Sequence, residues 1–505
     1  MVTSRLLRGL LFIVLSYQCV QLVECAQYDE FKVLRVTVSS STDVIVDEIK
    51  HLQNKGRVDI LVLCPVRGIM DLMVGPKHLS AVLETLDKFY AEFKIQNDDI
   101  GKIMKQQAEE KISKLGRSSD SVSIDESFHD DYHSYQEMVD RLEALAATHS
   151  DKAKVFSLEG KTFENREIKA IRITNHISNT KLSDSKPMVW LDGGIHSREW
   201  VSSATMMYFV DAMLGEEEKG QQATIDIILD RYQIVIAPVI NPDGYVFSCD
   251  GDSGRALQWK TEVCDRMWRK TRTDVGGCEE NKRMWYGGCL HYFCWGADPN
   301  RNWDAEFDSK KGVSDNPCTI VFPGKEYWDQ PCVNIVKTYL EKNKEKLVLY
   351  VSYHAYLQLF LVPWAHSQEA PPHHEHHMKV GKGVVEAIKG VHGKDYKVIQ
   401  VAVDLYMVSG SSIDWVYDKL GVVDAYGFEL RPDGQSEYGF LLPKDQIRET
   451  GEENVAGLFV LIDNIYERAI EDDGGNNDSD GNGNDEGDNN GDDDGDEGEK
   501  NDGVD

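Results

Sequence analysis

The sequence predicts an α/β fold in which a central β-sheet, flanked by helices on both faces, is preceded by a small α/β sandwich. Three observations predict it. First, the runs Pro187 to Asp192, Ile234 to Ile240, Leu347 to His354 and Val422 to Leu430 are nearly all apolar and alternate with segments of helical composition. Strands that are apolar throughout are buried on both faces of a sheet. Second, a separate group of alternating and amphipathic segments lies between Phe31 and Phe93. Third, a Ser- and Asp-rich stretch, SSDSVSIDES, follows Arg117 and divides the two groups as a linker would.

Taken in order, the chain opens with Arg5 and Arg8, an apolar run from Leu10 that weakens towards Val23, and small residues at Cys25 and Ala26. This is the layout of a secretory signal peptide over residues 1–25. FKVLRVTVS, residues 31–39, alternates as a half-buried strand does. An apolar-periodic segment from Val44 to Leu52, the apolar run DILVLCPV and a helix near Ser80 to Phe93 complete the small sandwich. Lys102 to Gly116 continues with helical composition, and Lys111, Lys114 and Arg117 make an exposed basic joint. A folded unit ending in such a joint is the layout of a propeptide, residues 26–117, released by a trypsin-like protease at Arg117. The second unit, residues 118–470, opens with a Glu-, Leu- and Ala-rich helix near Tyr132 and carries another, Ser203 to Leu214, after its first strand.

The 505 residues hold 55 Lys and Arg against 86 Asp and Glu, a formal charge of −31, which argues against a nucleic-acid partner. About half of that charge lies in residues 471–505, where 16 acids meet one Lys among Gly and Asn. Such a tail lacks the apolar surface needed to offset the entropy of ordering, so disorder is expected. No segment after the leader is a convincing apolar span, so stable membrane anchorage is not expected. With secretion, eight of the ten cysteines meet an oxidising compartment, and seven of them crowd between Cys249 and Cys332. Residues 366–377, HSQEAPPHHEHH, read as a solvent-exposed loop because Pro371 and Pro372 break regular structure.

Function in sheets of this kind gathers at the carboxyl ends of strands. GGIHSREW puts His196 and Glu199 just past one strand, YVSYHAY puts His354 at the end of a second, and YGFELRPDG puts Glu429 at the end of a third. Two imidazoles and a carboxylate make the protein half of a catalytic zinc site with one position open. Glu429 is then the candidate general base. An acid in so apolar a stretch needs either such a task or a partner such as Arg431. DRMWRKTR and DPNRNWD add arginines suited to a developing oxyanion or to a terminal carboxylate.

Seven blocks extend the pattern: HSREW, PVINPDGY at 238–245, DRMWRKTR, NRNWD at 300–304, SYHAYLQ at 352–358, LYMVSGSSIDW at 405–415 and FELR at 428–431. In this order they resemble the zinc metallocarboxypeptidases of the pancreatic A and B type, secreted as proenzymes, and the resemblance spans all but the acidic tail. It implies a central mixed β-sheet and one catalytic zinc held by His196, Glu199 and His354, with Glu429 as base and Arg269 polarising the scissile carbonyl. It assigns Arg198 and Arg266 to auxiliary subsites. Asn300 and Arg301 fall to the clamp on the C-terminal carboxylate of a peptide or protein, with Tyr406 as a phenol closing over it.

The resemblance puts Ile413 at the base of the side-chain pocket, where enzymes cutting basic residues carry Asp. A lysine or arginine side chain there would lose water without gaining a partner. The expectation is a carboxypeptidase A-like enzyme for aliphatic and aromatic ends, with Leu361 and Ala365 adding to the lining. A one-residue difference in register would turn Asp414 into the pocket and restore B-type or broad specificity. The resemblance pairs Cys294 with Cys318. We expect Cys249 with Cys264 and Cys278 with Cys289 to clip an inserted loop, leaving Cys332 unpaired. Asp265 and Ala355 depart from the usual asparagine and serine of the resemblance. The propeptide is expected to inhibit until cleaved. The rival reading is an extracellular cation-binding protein that uses the tail and the histidine segment.

Overall fold

The computed structural model describes residues 28–115, 126–217, 220–248, 265–276 and 294–475. The expected signal peptide, the Arg117 cleavage site, the pairs Cys249–Cys264 and Cys278–Cys289 and most of the acidic tail lie outside the described residues. Among the described residues no helix is long and apolar enough to cross a membrane.

The first unit is a four-stranded antiparallel sheet, ordered β2-β3-β1-β4, from β1 (Lys32–Thr37), β2 (Asp59–Cys64), β3 (Ile69–Val74) and β4 (Phe93–Asn97). Helices Val44–Asn54 and Leu79–Lys88 cover one face. The period of two sends Leu34, Val36, Met70, Leu72 and Val74 towards those helices. Val33, Ile69 and Met73 go the opposite way, into the core of the second unit. The helix expected to run to Phe93 stops at Lys88, because the chain turns there and Phe93 enters β4.

The second unit is an eight-stranded mixed sheet, ordered β11-β10-β12-β9-β7-β8-β6-β5. Its strands are β5 (Ala153–Ser157), β6 (Lys169–Ile173), β7 (Met188–Asp192), β8 (Gln233–Ala237), β9 (Leu347–Ala355), β10 (Leu359–Val362), β11 (Lys397–Gln400) and β12 (Asp424–Leu430). The four apolar runs of the sequence are its parallel centre, β12-β9-β7-β8. Antiparallel pairings at β10/β12, β6/β8 and β5/β6 make the sheet mixed.

Helix Trp200–Leu214 is buried on nearly every side, as a helix with no polar face must be. Its entry depends on Gly194, at φ +63°, where an added Cβ would stand 2.7 Å from Ser203 Oγ. Helices His374–His392 and Ile447–Gly475 pack together on the sheet. The histidine segment is thus only partly the exposed loop expected. Pro371 and Pro372 precede the helix that starts at His374, and His377 is buried with its Nε2 on the Val423 carbonyl, 2.8 Å away.

Candidate metal centre

The parallel register brings the three strand ends together. Glu429 is the direct neighbour of His354 across β12 and β9, and Asp192 faces Ser352 across β7 and β9. The turn after β7 then swings His196 and Glu199 over the end of β9. His354 Nδ1 lies 3.1 Å from His196 Nδ1 and 3.2 Å from Glu199 Oε2, while His196 Nδ1 lies 2.9 Å from Glu199 Oε1. All three side chains are buried, and one ligand atom from each lies within 4.8 Å of the others.

Two ring nitrogens aimed at one another and at a carboxylate form a donor set that suits a cation, and nitrogen and oxygen donors in this ratio suit zinc. Burial alone would raise the Glu199 carboxyl, but the two histidines hold it below its ordinary range. Burial, then Arg269, lowers His196, which favours the neutral imidazole that a metal requires.

Asp298, quoted in the DPNRNWD block but given no role there, is the hub behind this set. Its Oδ1 faces His196 Nε2 at 3.0 Å and accepts from the Asn300 amide at 2.9 Å. Its Oδ2 accepts from Arg269 Nε and Nη2 at 3.0 and 2.9 Å. Burial would raise it, yet Arg269, Arg301 and His196 hold it well below the carboxylate range. A carboxylate on the far nitrogen of a ligating histidine fixes its tautomer. The only sequence signal for this was an acid beside the Asn300 and Arg301 pair.

Glu429 stands apart from the ion pairs. Its Oε2 is buried with no hydrogen-bond partner, and Arg431 instead pairs with Glu449 and Glu453 of the Ile447–Gly475 helix. Burial, then the charge of Glu199, pushes the Glu429 carboxyl well up, against the opposing pull of Arg269 and Arg301.

Glu429, His196, Glu199 and His354 line one cavity of about 110 Å³ together with Arg269, Asn300, Arg301, Tyr406 and Ile413. Arg301 keeps a buried Nε without an acceptor, and Asn300 is oriented by the Ser412 amide on its Oδ1 at 2.9 Å. Cys294 and Cys318 are disulfide-bonded and bracket the segment carrying Asp298, Asn300 and Arg301, while Cys64 and Cys332 are buried free thiols.

Leu361, Ala365, Val401, Leu405 and Val408 line this cavity along with Ile413. Asp414 turns the other way, accepting from the amides of Ala365 and His366 and meeting His366 Nδ1 at 2.7 Å. Arg198 and Arg266 sit to one side. Arg266 is committed to backbone, donating to the carbonyls of Arg198 and Phe440, each at 2.8 Å. Arg198 meets Asp59 of the first unit, whose Leu61, Val62 and Leu63 close the cavity.

A buried histidine and carboxylate triad at the carboxyl ends of a mixed α/β sheet, beside an unpaired glutamate, defines a metallohydrolase. A zinc carboxypeptidase family model matches residues 138–457, and the chain belongs to that family. It is 28% identical over 454 residues to zinc carboxypeptidase A 1 of Anopheles gambiae, covering 90% of this chain and 94% of the relative. It is 32% identical over 336 residues to carboxypeptidase B of Astacus astacus, covering 66% and 97%. The fold is similar to the crystal structure of carboxypeptidase A from Helicoverpa armigera, with a TM-score of 0.71 at 23% identity over 88% of this chain and 99% of that one. The protein is a metallocarboxypeptidase that uses one catalytic zinc ion, and the donor set fits that ion.

Proposed function

We propose that the chain is a secreted zymogen which, after cleavage at Arg117, removes aliphatic and aromatic residues from the C-termini of peptides and proteins. Residues 1–25 are then the leader, 26–117 the propeptide, 118–470 the catalytic unit and 471–505 an acidic tail. The observation that carries the catalytic reading is the Glu429 carboxylate, whose Oε2 is buried without a hydrogen-bond partner, beside the His196, Glu199 and His354 donor set.

His196, Glu199 and His354 hold the zinc, which supplies Lewis acidity at the scissile carbonyl. Glu429 takes the proton of the attacking water and returns it to the leaving amine, a role favoured by its raised affinity for a proton. Arg269, fixed by its fork on Asp298, keeps Nη1, 3.6 Å from Glu199 Oε1, as the donor for the oxyanion. Arg301 and Asn300 hold the terminal carboxylate, and Tyr406 at the rim closes behind it. Apolar lining around Ile413, with Asp414 spent on backbone amides, supports A-type selectivity. Leu61, Val62 and Leu63 over the cavity support an inhibitory propeptide.

Glu429→Gln tests the reading. Hydrolysis of a C-terminal Phe peptide by the trypsin-treated protein is expected to fall by roughly 10² to 10⁴ with zinc content unchanged. Full activity in that variant would refute it.

A further inference from the structure

We infer that Asp192, acting through the Ser352 hydroxyl, positions His354 as a zinc ligand and tightens its hold on the ion. Both imidazoles of the site are then backed by a carboxylate, one directly and one through a relay. The inference rests on the assignment of His354 as a ligand and adds two positioning residues, neither of which lines the cavity.

Asp192 is the last residue of β7, ahead of the Gly193 and Gly194 turn, and Ser352 is its register partner on β9. Side chains two apart on a strand share a face, so Ser352 and His354 lie on one side of β9 with Asp192 beside them. All three are buried. The direction of each proton follows from the neighbours. His354 Nδ1 faces His196 Nδ1 and Glu199 Oε2, so Nδ1 offers the lone pair to a cation and Nε2 carries the ring proton. Two groups face Nε2: Asn300 Nδ2 at 3.3 Å and Ser352 Oγ at 3.4 Å. The first is a donor, fixed by the Ser412 amide on the amide oxygen of Asn300, and cannot take that proton. The hydroxyl can, because its own proton goes to Asp192 Oδ1 at 2.7 Å.

The far oxygen of Asp192 accepts from Trp190 Nε1, also at 2.7 Å, so the carboxylate is itself held in place. Both of these donors are neutral. A buried carboxylate held by neutral donors gains from positive charge at the end of its hydrogen-bond chain, and an imidazole bound to a cation supplies it. In return the carboxylate makes Nδ1 a better donor and fixes the plane of the ring. His196 obtains the same support from Asp298 at 3.0 Å, without an intermediary. The 3.4 Å step at Ser352 is long for a hydrogen bond. The relay should therefore act at the lower end of the range for an outer partner of a ligating histidine.

The test is a double-mutant cycle on the full-length protein, with the zinc Kd read by chelator competition and folding checked by urea denaturation. Ser352→Ala and Asp192→Asn should each raise the zinc Kd about tenfold. The double variant should raise it no further than the larger single, because either change alone breaks the relay. A double effect equal to the product of the singles, roughly a hundredfold, would show two independent structural losses and overturn the inference. A zinc Kd within twofold of wild type in either single variant would also overturn it. Should Asp192→Asn fail to fold, Ser352→Ala decides on that same threshold. Wild-type protein that binds no stoichiometric zinc would defeat the ligand assignment itself, whereas tight wild-type binding with unaffected variants removes only the relay.

Discussion

Asp298→Asn isolates the group that joins His196, a proposed zinc ligand, to Arg269, the proposed oxyanion donor. The native carboxylate is fully buried and faces four nitrogens, two on each oxygen. Asparagine keeps one oxygen and puts an NH2 in place of the other. If the amide oxygen stays on His196, the NH2 confronts the Arg269 fork, donor against donor. The lost charge-assisted pair costs about 2–3 kcal/mol, which is roughly a 30- to 160-fold loss in kcat/KM if Arg269 acts in the transition state. If the oxygen turns to Arg269 instead, the NH2 faces His196 Nε2 and drives the ring proton to Nδ1, the atom aimed at the metal. Zinc affinity should then fall about 10- to 100-fold. Chelator competition gives the zinc Kd, and a C-terminal Phe peptide at saturating zinc gives kcat/KM. One of the two must move. Both remaining within threefold of wild type would refute the linkage.

Ile413→Asp places a carboxylate at the proposed base of the side-chain pocket and, on that reading, should invert the ratio of kcat/KM between peptides ending in Phe and in Arg. A persistent preference for Phe would remove Ile413 from the pocket floor. Asp265 is fully buried, and burial pushes its carboxyl up to about 6. The folded state therefore holds this proton more tightly than the unfolded chain, and the stability it contributes is present below about pH 4 and lost as pH rises through about 6. Asp265→Asn should gain about 3 kcal/mol of unfolding free energy relative to wild type between pH 4 and pH 7, measured by urea denaturation. A constant difference would contradict the buried environment. Replacing Cys294 and Cys318 together by Ser opens a loop with a sequence separation of 24. It should cost about 3 kcal/mol and raise KM more than it lowers kcat, since Asn300 and Arg301 ride on that loop. An unchanged KM would argue that the bridge serves stability alone.

The sequence made the centre of the large sheet legible because β7, β8, β9 and β12 are buried on both faces and read as unbroken apolar runs. The flanking strands β5, β6, β10 and β11 were not legible. They span four or five residues each, too few for a periodic signal to stand out. In the first unit β3, apolar but for Asp71, and the five-residue β4 were missed, and the first residue of β4, Phe93, was absorbed into a helix. At the site, His196, Glu199, His354 and Glu429 could be read because strand ends are predictable places. Asp298 could not, since its partners come from two other loops that meet it only in the folded chain. Whether Arg431 neutralises Glu429 was decided by a helix some twenty residues further on, where Glu449 and Glu453 take it.

One face of the four-stranded sheet rests on its own two helices and the other on the larger unit, where apolar side chains surround the buried Arg35–Asp71 pair. A severed first unit would therefore leave as a sticky slab, with Val33, Val62, Ile69 and Met73 suddenly wet. Re-docking would compete with self-association and with digestion of the freed piece. Activation would thus behave as a ratchet, turned by one cut and kept from slipping back to the extent that the shed piece self-associates or is digested.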